Sequence, residues 1–391
     1  MKHRYALQLA LFSLLIGALA ACSIHKVKST NHVPVERVSQ EIPEHLLLDV
    51  GIQIFDPGID DAADSDDLVF PEVRRAESRY MPVMLAETLQ SSAAWGAVRV
   101  VPAANKNSDV TVRAKIVQSD GEQLELALEV LDISGREWFA RTYHETASHY
   151  AYNKRLVKDV DPFQGIYNQI ANDMLAFQRT LTDTETRNLR TIAELRFARD
   201  FSPQAFSDHL QETKDGRFAV MRLPAADDPM LNRVRRIRER DYLFVDTLQD
   251  YYGTFVREMD GPYQTWRAES YDAVITQREL ESQATTRTIA GIAAIVGGIA
   301  AAGNNSGSGR VAGQVAVAAG GYMVKSGFDK REEAKMHSDM LIELGDSLEA
   351  AIEPQVIELE DRTITLSGTV ENQYDQWREL LKEIYKAETG L

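Results

Sequence analysis

The chain has 391 residues, a formal net charge of −16 and a hydrophobic content of 44%. This acidic balance argues against nucleic acid as a partner and against a general electrostatic attraction to anionic lipid. Because the chain has a single cysteine, it forms no internal disulfide and must be stabilised by packing. Its length favours two or three domains.

The first 21 residues have the pattern of a secretory signal peptide. Lys2 and Arg4 supply a short positive region, and residues 6–19 are almost wholly apolar. This apolar run is shorter than the about 20 residues that a transmembrane helix needs, and it has the length of a secretory hydrophobic region. The sequence therefore predicts export of the protein and removal of residues 1–21.

The four residues from Leu19 to Cys22 resemble the lipobox of bacterial lipoproteins, in which small residues precede a cysteine that becomes lipidated. The resemblance implies a diacylglycerol and an N-linked acyl chain on Cys22, with membrane lipid as the partner and no other cofactor. Ser23 follows instead of an aspartate, which by the same resemblance implies the outer membrane and a protein facing the periplasm. The alternative is an ordinary signal peptide followed by an incidental cysteine.

Residues 22–45 are polar and lack apolar periodicity, so they are predicted to form a lipidated tether. As a flexible coil this stretch would span about 25 Å. Residues 46–181 then alternate between strand and helix patterns, which predicts an α+β domain built as an α/β layer sandwich that folds alone. The predicted order is strand 46–55, helix 73–92 with a kink or restart at Pro82 and an end at Gly96, strand 97–101, strands 109–117, 123–132 and 137–143, and helix 163–177.

This order of elements resembles the amino-terminal fold shared by the curli-secretion lipoprotein, the TolB amino-terminal domain and lipoproteins that activate peptidoglycan synthases. The resemblance is carried by the strand ending at Phe55, the helix at residues 75–77, the strand entry at 95–96, and the turns at 119–121 and 132–135. It implies two alternative functions, a secretion-channel subunit or an activator of a cell-wall synthase. No long alternating hairpin that could build a barrel interrupts the domain, which argues against the channel. An unrelated α+β domain remains an alternative.

Residues 182–288 are predicted to form a helical region of about four helices. Thr182 and Glu185 have the spacing of a capping box, and Ser202 followed by Pro203 is typical of a helix start. Residues 260–262, Asp-Gly-Pro, are predicted to separate two helices. The first of these two has an apolar face made of Val234, Ile237, Phe244, Val245, Leu248, Tyr252, Phe255 and Met259.

Residues 289–327 are small and apolar, with a polar loop at 304–310. Small residues recur at every fourth position in both arms, which lets two helix backbones approach closely. The segment resembles the glycine-zipper hairpins of outer-membrane lipoproteins, and the resemblance implies a hairpin that inserts in the membrane or pairs within a homo-oligomer. A tightly packed soluble hairpin is the alternative. The residues at the predicted contact are Ala293, Gly297, Ala301, Ala312, Ala316 and Gly320.

Residues 328–391 are predicted to form a helix followed by a small ββα unit, with strands at 356–359 and 363–370. The final helix is amphipathic and is predicted to bury Trp377, Leu380, Leu381 and Ile384. The unit resembles one half of a BON domain. Because only one half is present, lipid binding cannot be carried over from that family. The positions that match are Ile364, Leu366, Gly368 and Val370.

Two patterns approach metal sites without the required spacing. His144 and His149 are five residues apart, whereas the zinc-protease motif needs histidines four apart on a helix. The acidic residues of the loop at 60–67, Asp60, Asp61, Asp64, Asp66 and Asp67, do not match the EF-hand pattern. We expect no metal ion, and a solvated acidic loop.

Two further groups of residues favour structural roles. The basic run is predicted to be a solvated face paired with acids such as Asp241 and Asp246, rather than an anion or lipopolysaccharide site. The aromatic group is predicted to pack in the core rather than to stack on glycan. The basic run is Arg233, Arg235, Arg236, Arg238 and Arg240, and the aromatic group is Tyr251, Tyr252, Tyr263 and Trp266.

The sequence thus favours a non-catalytic scaffold or accessory factor in envelope assembly or export, with an envelope protein of unknown identity as partner. An enzyme that acts on cell-wall glycan through a carboxylate pair is a less favoured alternative, because no spacing identifies such a pair.

Overall fold

The computed structural model describes residues 32–59, 71–102, 107–152, 160–302, 355–358 and 363–389. These residues form an α+β fold, as the sequence predicts. Several predicted features lie outside the described residues. They are the signal peptide, Cys22, the acidic residues at 60–67, the hairpin residues Ala312, Ala316 and Gly320, and the helix predicted to follow the hairpin.

A mixed five-stranded sheet forms the centre of the α+β part. It consists of β1 (Val50–Gln53), β2 (Val98–Val101), β3 (Val110–Ser119), β4 (Gln123–Asp132) and β5 (Glu137–Thr146), in the spatial order β2-β1-β3-β4-β5. β1 is parallel to β2 and to β3, whereas β3, β4 and β5 form an antiparallel meander. Gly121 and Gly135 have positive φ in the turns that join the meander, a conformation that glycine adopts without steric cost.

One face of the sheet is buried by two helices, α1 (Pro71–Ser91) and α2 (Gln164–Gln178). Side chains alternate between the two faces of a strand, and in β4 every second residue from Leu124 to Val130 is buried. α1 continues through Pro82 and ends at Ser91, so the predicted restart at Pro82 and the predicted end at Gly96 are wrong, whereas the alternative of a kink at Pro82 stays a prediction.

A long helix, a single helical turn and a small hairpin follow. α3 (Asp183–Phe201) begins with the predicted capping box, in which Thr182 and Glu185 bond each other's backbone N–H groups. α4 (Pro203–Phe206) has proline in its first turn, as predicted, but the Ser202 side chain makes no capping bond. The antiparallel hairpin of β6 (Leu210–Glu212) and β7 (Phe218–Val220) was not predicted.

The longest element is α5 (Pro229–Ala302), a helix of 74 residues. At 1.5 Å per residue it is about 110 Å long. Pro262 lies inside α5, so the predicted separation at residues 260–262 is wrong. Residues 289–302, which include Ala293, Gly297 and Ala301, continue the same helix. Within the described residues, no helix carries an apolar stretch long enough to cross a membrane.

The chain ends in the predicted ββα unit, formed by β8 (Gln355–Glu358), β9 (Thr363–Leu366) and α6 (Val370–Thr389). β9 ends four residues earlier than predicted, because Gly368 has a φ of +101° and Val370 already begins the helix. α6 packs on α5, where the rings of Trp377 and Phe244 stack with centroids 4.9 Å apart.

Residues 32–47, which we call the N-terminal strap, lie against α2 and α3. The side chain of Asn168 donates to the carbonyl of Val33, and that of Asn172 donates to the carbonyl of Pro34. Further along, Arg190 of α3 donates to two strap carbonyls. The predicted tether covers residues 22–45; its described part, 32–45, is thus packed against the fold rather than extended away from it.

Candidate functional site

The most unusual group of charges is buried where α5 crosses α1 and the start of α2. Arg267 is 0% exposed, and its Nη1 donates to Asp161 at 2.7 Å. Its guanidinium carbon lies 3.9 Å from the centre of the Tyr263 ring, close enough for a cation–π interaction. Burial lowers the pKa of Arg267, but the interactions with Asp161 and the neighbouring tyrosines raise it more strongly. The pKa of Arg267 is therefore raised above its ordinary value.

Glu77 of α1 extends this buried group toward the sheet. Its Oε1 accepts hydrogen bonds from the hydroxyls of Ser119 and Tyr263, both at 2.6 Å. Burial raises the pKa of Glu77, while Arg74 and the two hydroxyl donors act in the opposite direction. Residues from α1, β3 and α5 therefore share one carboxylate.

These charges hold helices together and are closed to substrate. A catalytic acid or base must reach the reacting atom of its substrate, yet Glu77, Asp161 and Arg267 are all buried. Buried ion pairs of this kind are costly to break because one partner is left unpaired. The group therefore positions α5 against the α+β part, and we call it the α5 lock.

Next to the α5 lock, the β3–β4 turn presses on the backbone of α5. A Cβ at Gly121 would lie 2.4 Å from the carbonyl oxygen of Arg267, so only glycine fits this contact. Tyr152 donates its hydroxyl to the Gly121 carbonyl. The ring of Tyr271 then contacts Tyr152 and His149, with centroids 5.5 and 6.0 Å apart.

The N-terminal strap begins at the same end of the fold. His32 Nδ1 lies 2.8 Å from Oε1 of Glu145, and the other oxygen of Glu145 accepts from the backbone N–H of Ile166 in the first turn of α2. The hydrogen bond to Glu145 raises the pKa of His32 although burial opposes this. Glu145 thus joins the strap to the start of α2.

This contact predicts that the strap is held less firmly as the pH rises. Because the folded-state pKa of His32 is raised above 6.5, its stabilising contribution is complete below that value and is lost as the pH rises through the raised pKa. Amide exchange of residues 33–38, corrected for intrinsic rates, should show less protection at pH 8.5 than at about pH 5.5.

Glu145→Gln, which keeps an acceptor for Ile166, should remove most of this pH dependence. His45→Asn is the matched control, since His45 lies in the same strap outside this contact. A strap whose protection does not change with pH in the native protein would contradict the prediction.

The two histidines that approach the zinc-protease spacing do not meet. His144 lies on β5, 3.5 Å from Glu125, whereas His149 lies in a 3₁₀ turn with its ring against Tyr271. Across the described ranges, no group of three or more histidine, cysteine, aspartate or glutamate side chains could hold a metal ion.

Two arginines of the basic run pair with acids, both on other elements. Arg235 bonds Glu194 of α3 at 2.6 Å, and Arg240 bonds Glu388 of α6 at 3.0 Å. Asp246, the predicted partner, instead bonds Arg99 of β2 at 2.6 Å. Arg238 donates to a backbone carbonyl. No anion site follows from these contacts.

The aromatic group packs in the core, as predicted. Tyr252, Tyr263 and Trp266 are buried, and Tyr251 is half-buried against the core. The side chains of the α5 lock were not predicted as a group. Arg267 and Asp161 are 106 residues apart, so no local spacing connects them.

The second face of the sheet is open and forms a shallow depression of about 510 Å³. Its floor includes Ala127 and Ala140. Arg113 lies 3.7 Å from Glu129, Lys115 lies 3.8 Å from Asp56, and Arg141 lies 2.7 Å from Asp173. Each arginine or lysine that lines the depression is therefore paired with a carboxylate.

Comparison with known proteins finds no match among protein-family models, curated proteins or solved structures. What the protein does must therefore be inferred from its own residues.

Proposed function

We propose that the protein is a non-catalytic lipoprotein, held in the outer membrane by acyl chains on Cys22 and facing the periplasm. It serves there as a scaffold or accessory factor in envelope assembly or export, with an envelope protein as partner. The observation that carries the proposal is the order of residues at 19–22, Leu-Ala-Ala-Cys, directly after an apolar run of signal-peptide length.

The contacts of the charged residues support a scaffold rather than an enzyme. Arg267 bonds Asp161 and Glu77 accepts from Tyr263, so these charges join α5 to α1 and to the segment that precedes α2. Because these side chains are buried, their role is to position α5. A scaffold that presents a long helix requires such positioning.

The length of α5 also supports this role. Ile289 lies eighteen residues beyond Tyr271, which corresponds to about 27 Å of helix. The small residues Ala293, Gly297 and Ala301 therefore lie on a helix that the α5 lock orients. Small residues at this spacing allow close approach of a second helix, so we propose that this segment contacts membrane or a second copy of the chain.

Cys22→Ala should leave the protein in the inner membrane or release it to the periplasm. Without the thiol no diacylglycerol can be attached, and acyl chains contribute about 0.8 kcal/mol per buried CH₂. The measurement is the share of protein that floats with outer membranes in a density gradient after an alkaline wash.

The matched control is Ser23→Ala, which keeps the thiol and a small residue beside it and should float like the native protein. A Cys22→Ala variant that still floats with outer membranes would contradict the lipid anchor.

A further inference from the structure

The N-terminal strap begins at the end of the fold where Tyr271 of α5 contacts His149 and Tyr152. We call this end the exit pole; it comprises His32, Glu145, His149, Tyr150, Asp161 and Tyr271. We propose that the exit pole faces the membrane that holds Cys22, so that the strap and α5 approach one bilayer from the same side. This inference rests on the proposed lipid anchor.

The contacts of α5 establish its direction. Along the helix, Arg235 meets α3, Asp246 and Gln249 meet β2, and Tyr263 meets Glu77 of α1. The last of these contacts is that of Tyr271 with Tyr152 and His149. The helix therefore runs past α3, β2 and α1 in turn and then continues beyond the exit pole to Ala302.

The start of the strap lies beside this exit. His32 contacts Glu145, which caps α2. Asp161, three residues before α2, binds Arg267 of α5, and its charge also reaches His32. One short segment around the start of α2 therefore contacts both the strap and α5.

Both connections can reach a bilayer that contacts the exit pole. Residues 23–31 separate Cys22 from His32, and ten extended Cα–Cα steps span at most about 35 Å. The helix from Tyr271 to Ile289 rises about 27 Å. With the exit pole at the bilayer surface, this part of α5 runs inclined to that surface and brings the small apolar residues that follow Ile289 to the same bilayer.

The side chains exposed at the exit pole suit the surface of a bilayer. Val33, Tyr150 and Val160 are 62%, 53% and 43% exposed, although all three carry large apolar groups. Tyrosine is enriched where membrane meets water, because its ring is apolar and its hydroxyl is polar. Val160 directly precedes Asp161, and Val33 directly follows His32.

A single-cysteine label tests this orientation. Cys22 is the only cysteine, and lipidation occupies its thiol, so a new cysteine in the lipidated full chain can be labelled alone. The fluorophore NBD is attached at Tyr150→Cys or Val160→Cys. Gln204→Cys on α4 is the control, because its side chain is exposed and α4 follows α3, which meets α5 far from the exit pole.

The labelled proteins are reconstituted into vesicles of phosphatidylethanolamine and phosphatidylglycerol that contain a lipid with a nitroxide on its headgroup. We expect loss of most NBD emission at positions 150 and 160, and little loss at position 204. Equal loss at all three positions, or loss at 204 alone, would overturn the proposed orientation.

Flotation of the same vesicles separates the two proposals. A protein that floats but keeps its emission at 150 and 160 retains the lipid anchor and contradicts only the orientation. A protein that does not float contradicts the anchor itself, and the orientation falls with it.

Discussion

Replacing Arg267 with alanine is expected to lower the free energy of unfolding by about 3–5 kcal/mol, because it leaves Asp161 as an uncompensated buried charge. Arg267 and Asp161 are 0% and 1% exposed at their side chains. The substitution also removes the cation that lies over the Tyr263 ring. Urea unfolding of the Cys22→Ala chain, with and without the additional substitution, measures the difference.

Two controls isolate the buried pair. Arg235→Ala breaks a similarly short ion pair whose arginine is 45% exposed, and such exposed pairs contribute about 1 kcal/mol or less. Arg267→Met combined with Asp161→Asn removes both charges. The asparagine oxygen can still accept the hydrogen bond that the backbone N–H of Phe163 donates to Asp161 in the native protein. This double variant should recover part of the loss. Equal losses for Arg267→Ala and Arg235→Ala would show that the α5 lock contributes no more than a surface pair.

A fragment covering residues 46–181 is expected to show no cooperative unfolding transition, contrary to the expectation from the sequence. The fragment lacks α5, whose Tyr263 donates to the buried Glu77 and whose Gln249 side chain bonds both backbone groups of Val100 in β2. Proteins are stable by only about 5–15 kcal/mol. The stability lost with these bonds and with the apolar contacts of α5 should exceed that margin.

Circular dichroism during thermal and urea unfolding provides the measurement. The matched control begins at His32 and continues to Leu391, so that it retains α5, α6 and the strap, and it should unfold cooperatively. Cooperative unfolding of the 46–181 fragment would show that α5 is an addition to an independent domain.

The meander of the sheet could be predicted to within three residues at each strand end. β4 has the predicted bounds, because an apolar residue stands at every second position from Leu124 to Val130 and turn residues flank the strand at both ends. The prolines were misleading for a local reason. Proline costs a helix about 3 kcal/mol, but Pro262 lies between Met259 and Tyr263, both fully buried. The packing of these two side chains offsets the cost of the proline, so the helix continues where the sequence pattern alone predicts that it ends.

The strap and the α5 lock could not be predicted, because their contacts join distant residues through polar side chains. Asn168 and Asn172 hold the strap by bonds across more than 130 residues. A polar segment without periodicity is typical of a tether, and nothing within residues 32–45 indicates that α2 presents amides to its backbone. The resemblance to a lipobox, in contrast, rests on a local pattern, and so four residues were enough to suggest it.

The amide of Gln249 has a consequence for self-association. Its oxygen accepts from the N–H of Val100 at 2.8 Å and its nitrogen donates to the carbonyl of Val100 at 2.8 Å, as a neighbouring strand would. Sheets polymerise into filaments when both outer strands can accept another chain. Here α5 covers the β2 edge, so only the β5 edge can accept a strand from another copy. Once two copies pair through their β5 edges, no further copy can add. At high local concentration, copies of this protein are therefore not expected to nucleate a fibre through the five-stranded sheet.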